Sequence, residues 1–176
     1  KNLQDGAADR PGALVAEFID SGRRSLENLA RTLDEAALSQ AVQLLAKAGT
    51  LHLVGLRRAY PVASYLAYVC EKLALPAMLH EATGGLAQTR ALRDGDALLA
   101  ISFAPYSAET VALAASSAAA GIPVVALTDS LTSPLARSAN VVLTVEEVDF
   151  GAFRALSATL ALALGLAVSV AAARDR

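Results

Sequence analysis

A chain of 176 residues, 55% of them hydrophobic, is long enough to bury a core as a single domain. The formal net charge of −2 argues against direct binding to nucleic acid, because that function needs a basic face to neutralise phosphates. A single cysteine, Cys70, excludes a disulfide within one chain and a cysteine-based metal cluster. We therefore expect a buried structural thiol, with neither a metal nor a cofactor.

The chain opens with a polar segment followed by amphipathic helices. Residues 1–12 are polar and contain glycine and proline, which predicts a loose lead-in. Apolar positions from Ala13 to about Leu33 predict one amphipathic helix or two short ones. Asp34 is expected to cap a further helix that ends at Gly49. We accordingly divide the chain into a lead-in with a helix, residues 1–33, and a folded domain, residues 34–176.

The rest of the chain alternates between apolar strands and helices. Strands are predicted at residues 51–54, 77–80, 97–102, 123–128 and 141–145. Helices are predicted at 61–75, 84–91, 110–120, 133–139 and from about 151 to 173. Continuous apolar strands separated by helices indicate a parallel sheet covered on both faces. The predicted fold is α/β, a doubly wound five-stranded parallel sheet with an amino-terminal helical extension.

The last predicted helix contains an uncharged stretch from Ala155 to Ala173. At about 1.5 Å per residue it approaches the thickness of a bilayer. However, Ser157, Thr159 and many alanines dilute its hydropathy, and it directly follows an α/β pattern. A helix buried between the core and a partner subunit explains it better than a membrane span. We expect a cytoplasmic protein, since the amino terminus also lacks the apolar segment of a signal peptide.

Ligands of doubly wound sheets bind beyond the carboxyl ends of the strands. The segments there are 55–60, 80–85, 102–110 and 128–133. The third segment carries the hydroxyls of Ser102, Ser107 and Thr110 and leads into a helix, whose amino terminus offers free N–H groups and partial positive charge to a phosphate. The alternative is that Ser107 or Thr110 only caps this helix.

Three stretches resemble the SIS (sugar isomerase) domain. Residues 100–110 are similar to its phosphate-binding loop, typically Ser-x-Ser-Gly-x-Thr. Residues 53–59 resemble its first strand and Gly-x-Gly-Ser-Ser loop, and residues 125–136 resemble its fourth strand and the small helix after it. The resemblance covers roughly residues 34–173. It implies a flavodoxin-like three-layer αβα fold that binds a phosphorylated sugar or a related anionic carbohydrate.

The helical lead-in is similar to that of the RpiR/MurR transcriptional regulators. These carry an amino-terminal helix-turn-helix domain and a carboxyl-terminal SIS effector domain. The resemblance implies a sensing domain that forms a homodimer or higher homo-oligomer. It would act on DNA only through a separate helix-turn-helix domain that is not in this chain.

The two loops depart from the family pattern. Ser102 and Ser107 occupy the first serine and the threonine of the phosphate loop, whereas Ala104 and Pro105 replace its second serine and glycine. In the first loop, Gly55 is kept and residues 57–59 read Arg-Arg-Ala. Guanidinium groups bind phosphate or carboxylate bidentately, so we expect Arg57 or Arg58 to contact an acidic group of the ligand. The alternative is that both face solvent or pair with Glu81 and Glu109.

The resemblance thus implies one set of ligand-binding residues: Gly55, Arg57, Arg58, Ser102, Tyr106, Ser107 and Thr110. Tyr106 would either contact a sugar ring or only pack. Phe150, Phe153 and Arg154, at the expected start of the last helix, are placed near this pocket.

An aldose–ketose isomerase on the same fold is the alternative function, and it requires a general base. Possible pocket residues for that role are His80, Glu81 and Glu109, whereas His52, in mid-strand, is expected to be a core residue. The chain shows no acid/base constellation with distinctive spacing. We therefore predict a sensor without catalytic residues.

Overall fold

The computed structural model describes residues 10–81, 91–151 and 153–175, and the structural statements that follow concern these residues. Five strands form one sheet: β1 (Leu51–Gly55), β2 (Ala77–His80), β3 (Ala97–Ile101), β4 (Val124–Thr128) and β5 (Val141–Thr144). Their order is β2-β1-β3-β4-β5 and every neighbouring pair is parallel. The predicted doubly wound sheet is confirmed, and its order reverses between β1 and β3.

Five helices accompany the sheet: α1 (Pro11–Thr32), α2 (Glu35–Ala46), α3 (Tyr60–Lys72), α4 (Ala108–Ala119) and α5 (Ser157–Arg174). The amino-terminal extension is one continuous helix. Asp34 caps α2 as predicted, since its carboxylate accepts a hydrogen bond from the Ala37 N–H at 2.9 Å. The helix predicted at residues 133–139 is only a 3-10 turn over Ala136–Ser138. The one predicted at residues 84–91 falls almost wholly outside the described residues.

Apolar side chains cover both faces of the sheet. Successive residues of a strand point to opposite faces, so Leu53 packs in the cluster beneath α2, α3 and α5, and Val54 packs in the cluster beneath α4. Every residue of β1, β3 and β4 is buried. This burial on both sides is why the central strands read as continuous apolar runs rather than alternating ones.

The last helix begins later than the sequence predicts. A start near Gly151 is wrong, because Gly151 has a positive φ of 56° and a short antiparallel hairpin, β6 (Asp149–Phe150) with β7 (Phe153–Arg154), occupies this part of the chain. The helical turn starts at Ser157, where the Glu147 carboxylate accepts hydrogen bonds from the Thr159 N–H at 2.8 Å and hydroxyl at 2.9 Å. A carboxylate there satisfies a free N–H group and complements the helix dipole.

Helix α5 is long and apolar enough to cross a membrane by length and composition, with a mean hydropathy of 1.6. In the fold, however, α1, α2 and α3 pack against it. One of its faces is buried in the domain through Ala158, Thr159, Leu162, Ala163, Leu166, Ala167 and Val170. It is therefore a core helix of this domain.

Candidate functional site

The candidate site lies where the strand order reverses, at the carboxyl ends of β1 and β3. Gly55 ends β1, and a Cβ there would lie 2.9 Å from the Ala59 carbonyl oxygen and 3.1 Å from the Ala63 Cβ. Only glycine therefore lets the 3-10 turn Arg57–Ala59 fold back against the end of the strand. Arg57 itself has a positive φ of 55°. This turn brings both arginines to the mouth between the two strands.

A cavity of about 280 Å³ opens at this point, and we call it the arginine cavity. It brings together four residues predicted from the sequence, Arg57, Arg58, Ser102 and Ser107, and it adds Arg154 from the hairpin. No carboxylate is among its lining residues in the described part of the chain. Its complete lining is Leu56, Arg57, Arg58, Ala59, Ser102, Phe103, Ala104, Pro105, Ser107 and Arg154.

The hydroxyls of the phosphate-like loop are engaged in building the start of α4. The buried Ser102 Oγ accepts a hydrogen bond from the Ser107 N–H at 3.1 Å. Ser107 caps α4, because its Oγ accepts from the Thr110 N–H at 3.2 Å and donates to the Glu109 carboxylate at 2.7 Å. Thr110 is fully buried, and its Oγ1 has no hydrogen-bond partner among the described residues. The capping interpretation therefore holds for Ser107, while its side chain still lines the cavity.

Glu109 is the acidic residue closest to this loop. The hydrogen bond from the Ser107 hydroxyl, its own backbone N–H and the charge of Arg57 together lower the pKa of Glu109. Glu81 instead accepts a hydrogen bond from the Tyr60 hydroxyl at 2.8 Å. Within the described residues, neither carboxylate forms an ion pair with Arg57 or Arg58.

Asp129, at the end of β4, holds the loop segment that departs from the family pattern. Its carboxylate accepts hydrogen bonds from the Ala104 N–H at 2.9 Å and the Tyr106 hydroxyl at 2.7 Å. Burial and this hydrogen bond raise the pKa of Tyr106 to about 12. Tyr106 thus anchors the loop to β4, and the Ala104 N–H is committed to a carboxylate in the present structure.

The arginines differ in their surroundings. The Arg58 guanidinium stacks on the Phe103 ring, 4.8 Å from its centroid, and its half-buried position lowers its pKa. Arg154 donates to the Ala104 carbonyl at 3.3 Å and pairs with Asp149 at 3.0 Å. Arg57 is exposed at the mouth. Three guanidinium groups around one opening make an environment that favours an anion.

A second cavity of about 290 Å³ adjoins the first, and we call it the acidic cavity. The two share Arg58, Phe103 and Arg154, so a ligand longer than one cavity would meet both environments. Glu147 Oε2 is buried without a hydrogen-bond partner among the described residues. The other lining residues are Tyr106, Asp129, Ser130, Val145, Glu146, Glu147 and Asp149. Sequence reasoning missed this cavity, although the acidic run after β5 was a visible signal.

His80 lies in the core and lines neither cavity. Its Nε2 is 2.7 Å from His52 Nδ1, and His52 Nε2 is 3.1 Å from Asp96 Oδ2. Burial, and then the neighbouring His52, lower the pKa of His80 to about 4. His52 is a hydrogen-bonded core residue, as predicted. Among the described residues, no group of three or more histidine, cysteine or carboxylate side chains is arranged to hold a metal ion.

Comparison with known proteins places this geometry in context. A family model described as the SIS domain matches residues 44–169. The sugar isomerase domain of an RpiR transcription factor from Sphaerobacter thermophilus is 24% identical, with a TM-score of 0.85 and 92% of each chain covered. The NanR protein of Vibrio vulnificus, solved with ManNAc-6P, is 25% identical, with a TM-score of 0.82 over 96% of this chain and 67% of NanR.

A third structure, the c3406 protein of E. coli CFT073 in complex with arabinose 5-phosphate, shares the fold. It has a TM-score of 0.80 and 18% identity, over 93% of this chain and 90% of that protein. No curated protein matches the chain in sequence.

Proposed function

Because this chain belongs to the SIS domain family, we propose that it binds a phosphorylated sugar and serves as the sensing domain of an RpiR-like transcriptional regulator. The observation that carries the proposal is the arginine cavity, where three guanidinium groups surround the start of α4. NanR and c3406, which have this fold, were solved with ManNAc-6P and arabinose 5-phosphate. The ligand-binding residues would be Gly55, Arg57, Arg58, Ser102, Tyr106, Ser107 and Thr110, joined by Arg154.

The proposal gives the altered loop a physical meaning. With alanine and proline in place of serine and glycine, the loop has one hydroxyl fewer, and Asp129 takes the Ala104 N–H. Arg57 and Arg58 replace those donors with fixed charges on the opposite wall. A guanidinium presents its donors in a planar fork that matches a phosphate. The amino terminus of α4 adds partial positive charge on the same side.

An isomerase is the second candidate, and the acidic cavity is the observation that favours it. Asp129 and Glu147 lie next to the arginine cavity, where a carboxylate could act as the base of an enediol mechanism. Two observations favour the sensor instead. The Asp129 carboxylate is committed to the Ala104 N–H and the Tyr106 hydroxyl, and Glu147 Oε1 caps α5. His80, the remaining candidate base, is paired with His52 in the core.

Assembly and location complete the proposal. We place the protein in the cytoplasm as a homodimer or higher homo-oligomer, with no membrane attachment. The outward face of α5, where Val168 is 53% exposed, is a candidate subunit surface. DNA would be reached through a separate helix-turn-helix domain, and α1, within the lead-in of residues 1–33, would connect it to the sensing domain of residues 34–176.

A thermal-shift screen tests the proposal. The panel consists of ManNAc-6P, arabinose 5-phosphate, glucose 6-phosphate and their unphosphorylated counterparts, with wild type and the Arg57→Ala/Arg58→Ala variant. Arg137→Ala is the matched control, because the Arg137 side chain lines neither cavity. A ligand at a hundredfold excess over its Kd stabilises the fold by about 2.7 kcal/mol.

We expect a phosphorylated sugar to raise the Tm of wild type and of Arg137→Ala but not of the double variant. Proton NMR of each stabilising sugar then distinguishes a sensor from an isomerase. Conversion of the sugar by the wild-type protein would support the isomerase. Stabilisation by unphosphorylated sugars alone would contradict the phosphosugar proposal.

A further inference from the structure

We propose that Arg154 contacts the bound anion and that its segment, residues 148–151 with 153 and 154, couples ligand binding to helix α1. This inference rests on the proposed function and adds the route by which occupancy of the arginine cavity would reach the amino-terminal helix. We call these residues the coupling segment. Three features of the structure carry it: the position of Arg154, the attachment of the segment to α1, and the spacing of the contacts on that helix.

Arg154 stands on the wall that separates the two cavities. Its guanidinium donates to the Ala104 carbonyl at the long distance of 3.3 Å and pairs with Asp149 of the same hairpin. The side chain keeps 34% of its surface exposed. An anion in the arginine cavity offers this guanidinium a charged, bidentate partner in place of a neutral carbonyl. Ligand binding would therefore change the hydrogen bonds that position the end of the hairpin.

The other end of the coupling segment is hydrogen-bonded to α1. The Ser21 hydroxyl donates to the Val148 carbonyl at 3.1 Å, and the Val148 N–H donates to Ser25 Oγ at 2.9 Å. Both serines are buried, so breaking either hydrogen bond would leave a buried polar group without a partner. These two bonds hold the backbone at Val148 against the helix.

Aromatic contacts attach the hairpin itself to the same helix. The Phe18 ring meets the Phe150 ring edge-on, with centroids 5.1 Å apart, and it meets the Phe153 ring at 6.5 Å. Phe18 thus touches both strands of the hairpin, including the residue next to Arg154. A shift of Arg154 toward a ligand must be accommodated at this packing, because edge-to-face pairs lose their attraction when the rings separate.

The contacts on α1 are spaced so that the helix responds as one body. Phe18, Ser21 and Ser25 lie three and four residues apart, which places them on one face over two turns. Between them, a Cβ on Gly22 would lie 2.8 Å from Ser157 Oγ, so this face also approaches the start of α5 closely. A closely packed helix face resists bending and transmits a displacement along its length.

Hydrogen–deuterium exchange on the whole chain tests the coupling, with saturating inorganic phosphate as the probe and potassium chloride of equal ionic strength as the reference. Phosphate is expected to slow amide exchange in the loop of residues 104–109 and also in α1. Arg57→Ala should weaken phosphate binding about five- to tenfold, as loss of a charge-assisted hydrogen bond does. At saturation, however, this variant should keep the response of α1.

Phe18→Ala separates binding from coupling. We expect its phosphate affinity to stay within about twofold of wild type, since Phe18 lines neither cavity. The response of α1 should be lost. Val15→Ala, an exposed substitution on the same helix, is the matched control and should behave as wild type. Arg154→Lys keeps the charge without the planar fork and should reduce both affinity and the response of α1.

Two results would overturn the coupling. One is protection of the loop by phosphate with unchanged exchange in α1. The other is an α1 response that persists in Phe18→Ala and in Arg154→Lys. Either would leave the phosphosugar proposal intact. Absence of loop protection by any phosphate concentration would instead refute the anion site itself.

Discussion

The buried histidine pair predicts a pH dependence of stability that can be assigned to one residue. His80 is 3% exposed, and its Nε2 lies 2.7 Å from His52 Nδ1, so one ring donates and the other accepts. Adding a proton to His80 would bury a charge and place two N–H groups against each other. Burial and His52 accordingly lower the pKa of His80 from an ordinary 6.5 to about 4.

The sign and size of the effect follow from linkage. Between pH 6.5 and about 4, His80 of the unfolded chain binds a proton that the folded protein does not bind. The contribution of His80 to stability is therefore complete above pH 6.5 and is lost as the pH falls toward 4. At about 1.36 kcal/mol per pKa unit, the free energy of unfolding should fall by at most about 3 kcal/mol across this range.

Urea denaturation followed by circular dichroism from pH 7.5 to 4.5 measures this loss for wild type, His80→Gln and Glu81→Gln. His80→Gln removes the titrating ring, so its unfolding free energy should depend less steeply on pH than that of wild type. Glu81→Gln is the neighbouring control, because Glu81 hydrogen-bonds Tyr60 at the surface. Parallel pH profiles for wild type and His80→Gln would refute the assignment to His80.

Four further predictions concern the site. Ser107→Ala removes the cap of α4 and should lower the free energy of unfolding by about 1 kcal/mol in urea denaturation. Gly55→Ala places a Cβ 2.9 Å from the Ala59 carbonyl oxygen, which should cost about 1–3 kcal/mol in the same assay. Asp129→Asn should lower the pKa of Tyr106 in an ultraviolet titration, since the carboxylate raises it in the native protein. The acidic cavity should repel a second anion, so 6-phosphogluconate should bind at least about fivefold more weakly than glucose 6-phosphate in calorimetry. An unchanged urea midpoint, an unchanged titration or equal affinities would contradict the corresponding prediction.

The fold was predictable because each buried strand is recognisable from its local sequence. Leu51–Gly55, Ala97–Ile101 and Val124–Thr128 are short apolar runs bounded by turn residues, and all of them are central strands. Asp34 and Ser107 indicate the starts of α2 and α4 through an ordinary capping preference. The resemblance to SIS domains and to RpiR-type regulators, drawn from two loops and a strand, is likewise confirmed.

The hairpin before α5 was not predictable in the same way. Its pairing joins only Asp149–Arg154 and Phe150–Phe153, too few residues to show an alternating pattern. The sequence pattern therefore extends the helix back to Gly151. The true start depends on Glu147, whose carboxylate reaches Thr159 twelve residues along the chain. A cap supplied from that distance leaves no local signal.

The candidate site was predictable in part for a similar reason. Loops that follow neighbouring parallel strands must meet at one edge of the sheet, so Arg57, Arg58, Ser102 and Ser107 can be grouped from the sequence. Partners set by tertiary packing cannot be. The sequence does not decide whether Tyr106 contacts a ligand or packs, because its bond to Asp129 joins two separate loops. The His52–His80 contact joins residues on adjacent strands and depends on their register.

Calorimetric titration with the phosphorylated sugars and their unphosphorylated counterparts tests the central claim most directly. If the arginine cavity is a phosphosugar site, at least one phosphorylated sugar will bind wild type and Arg137→Ala alike. Its affinity will fall at least about tenfold in Arg57→Ala/Arg58→Ala, and its unphosphorylated counterpart will bind far more weakly. Equal binding of the two forms of a sugar, or full affinity in the double variant, would contradict the account.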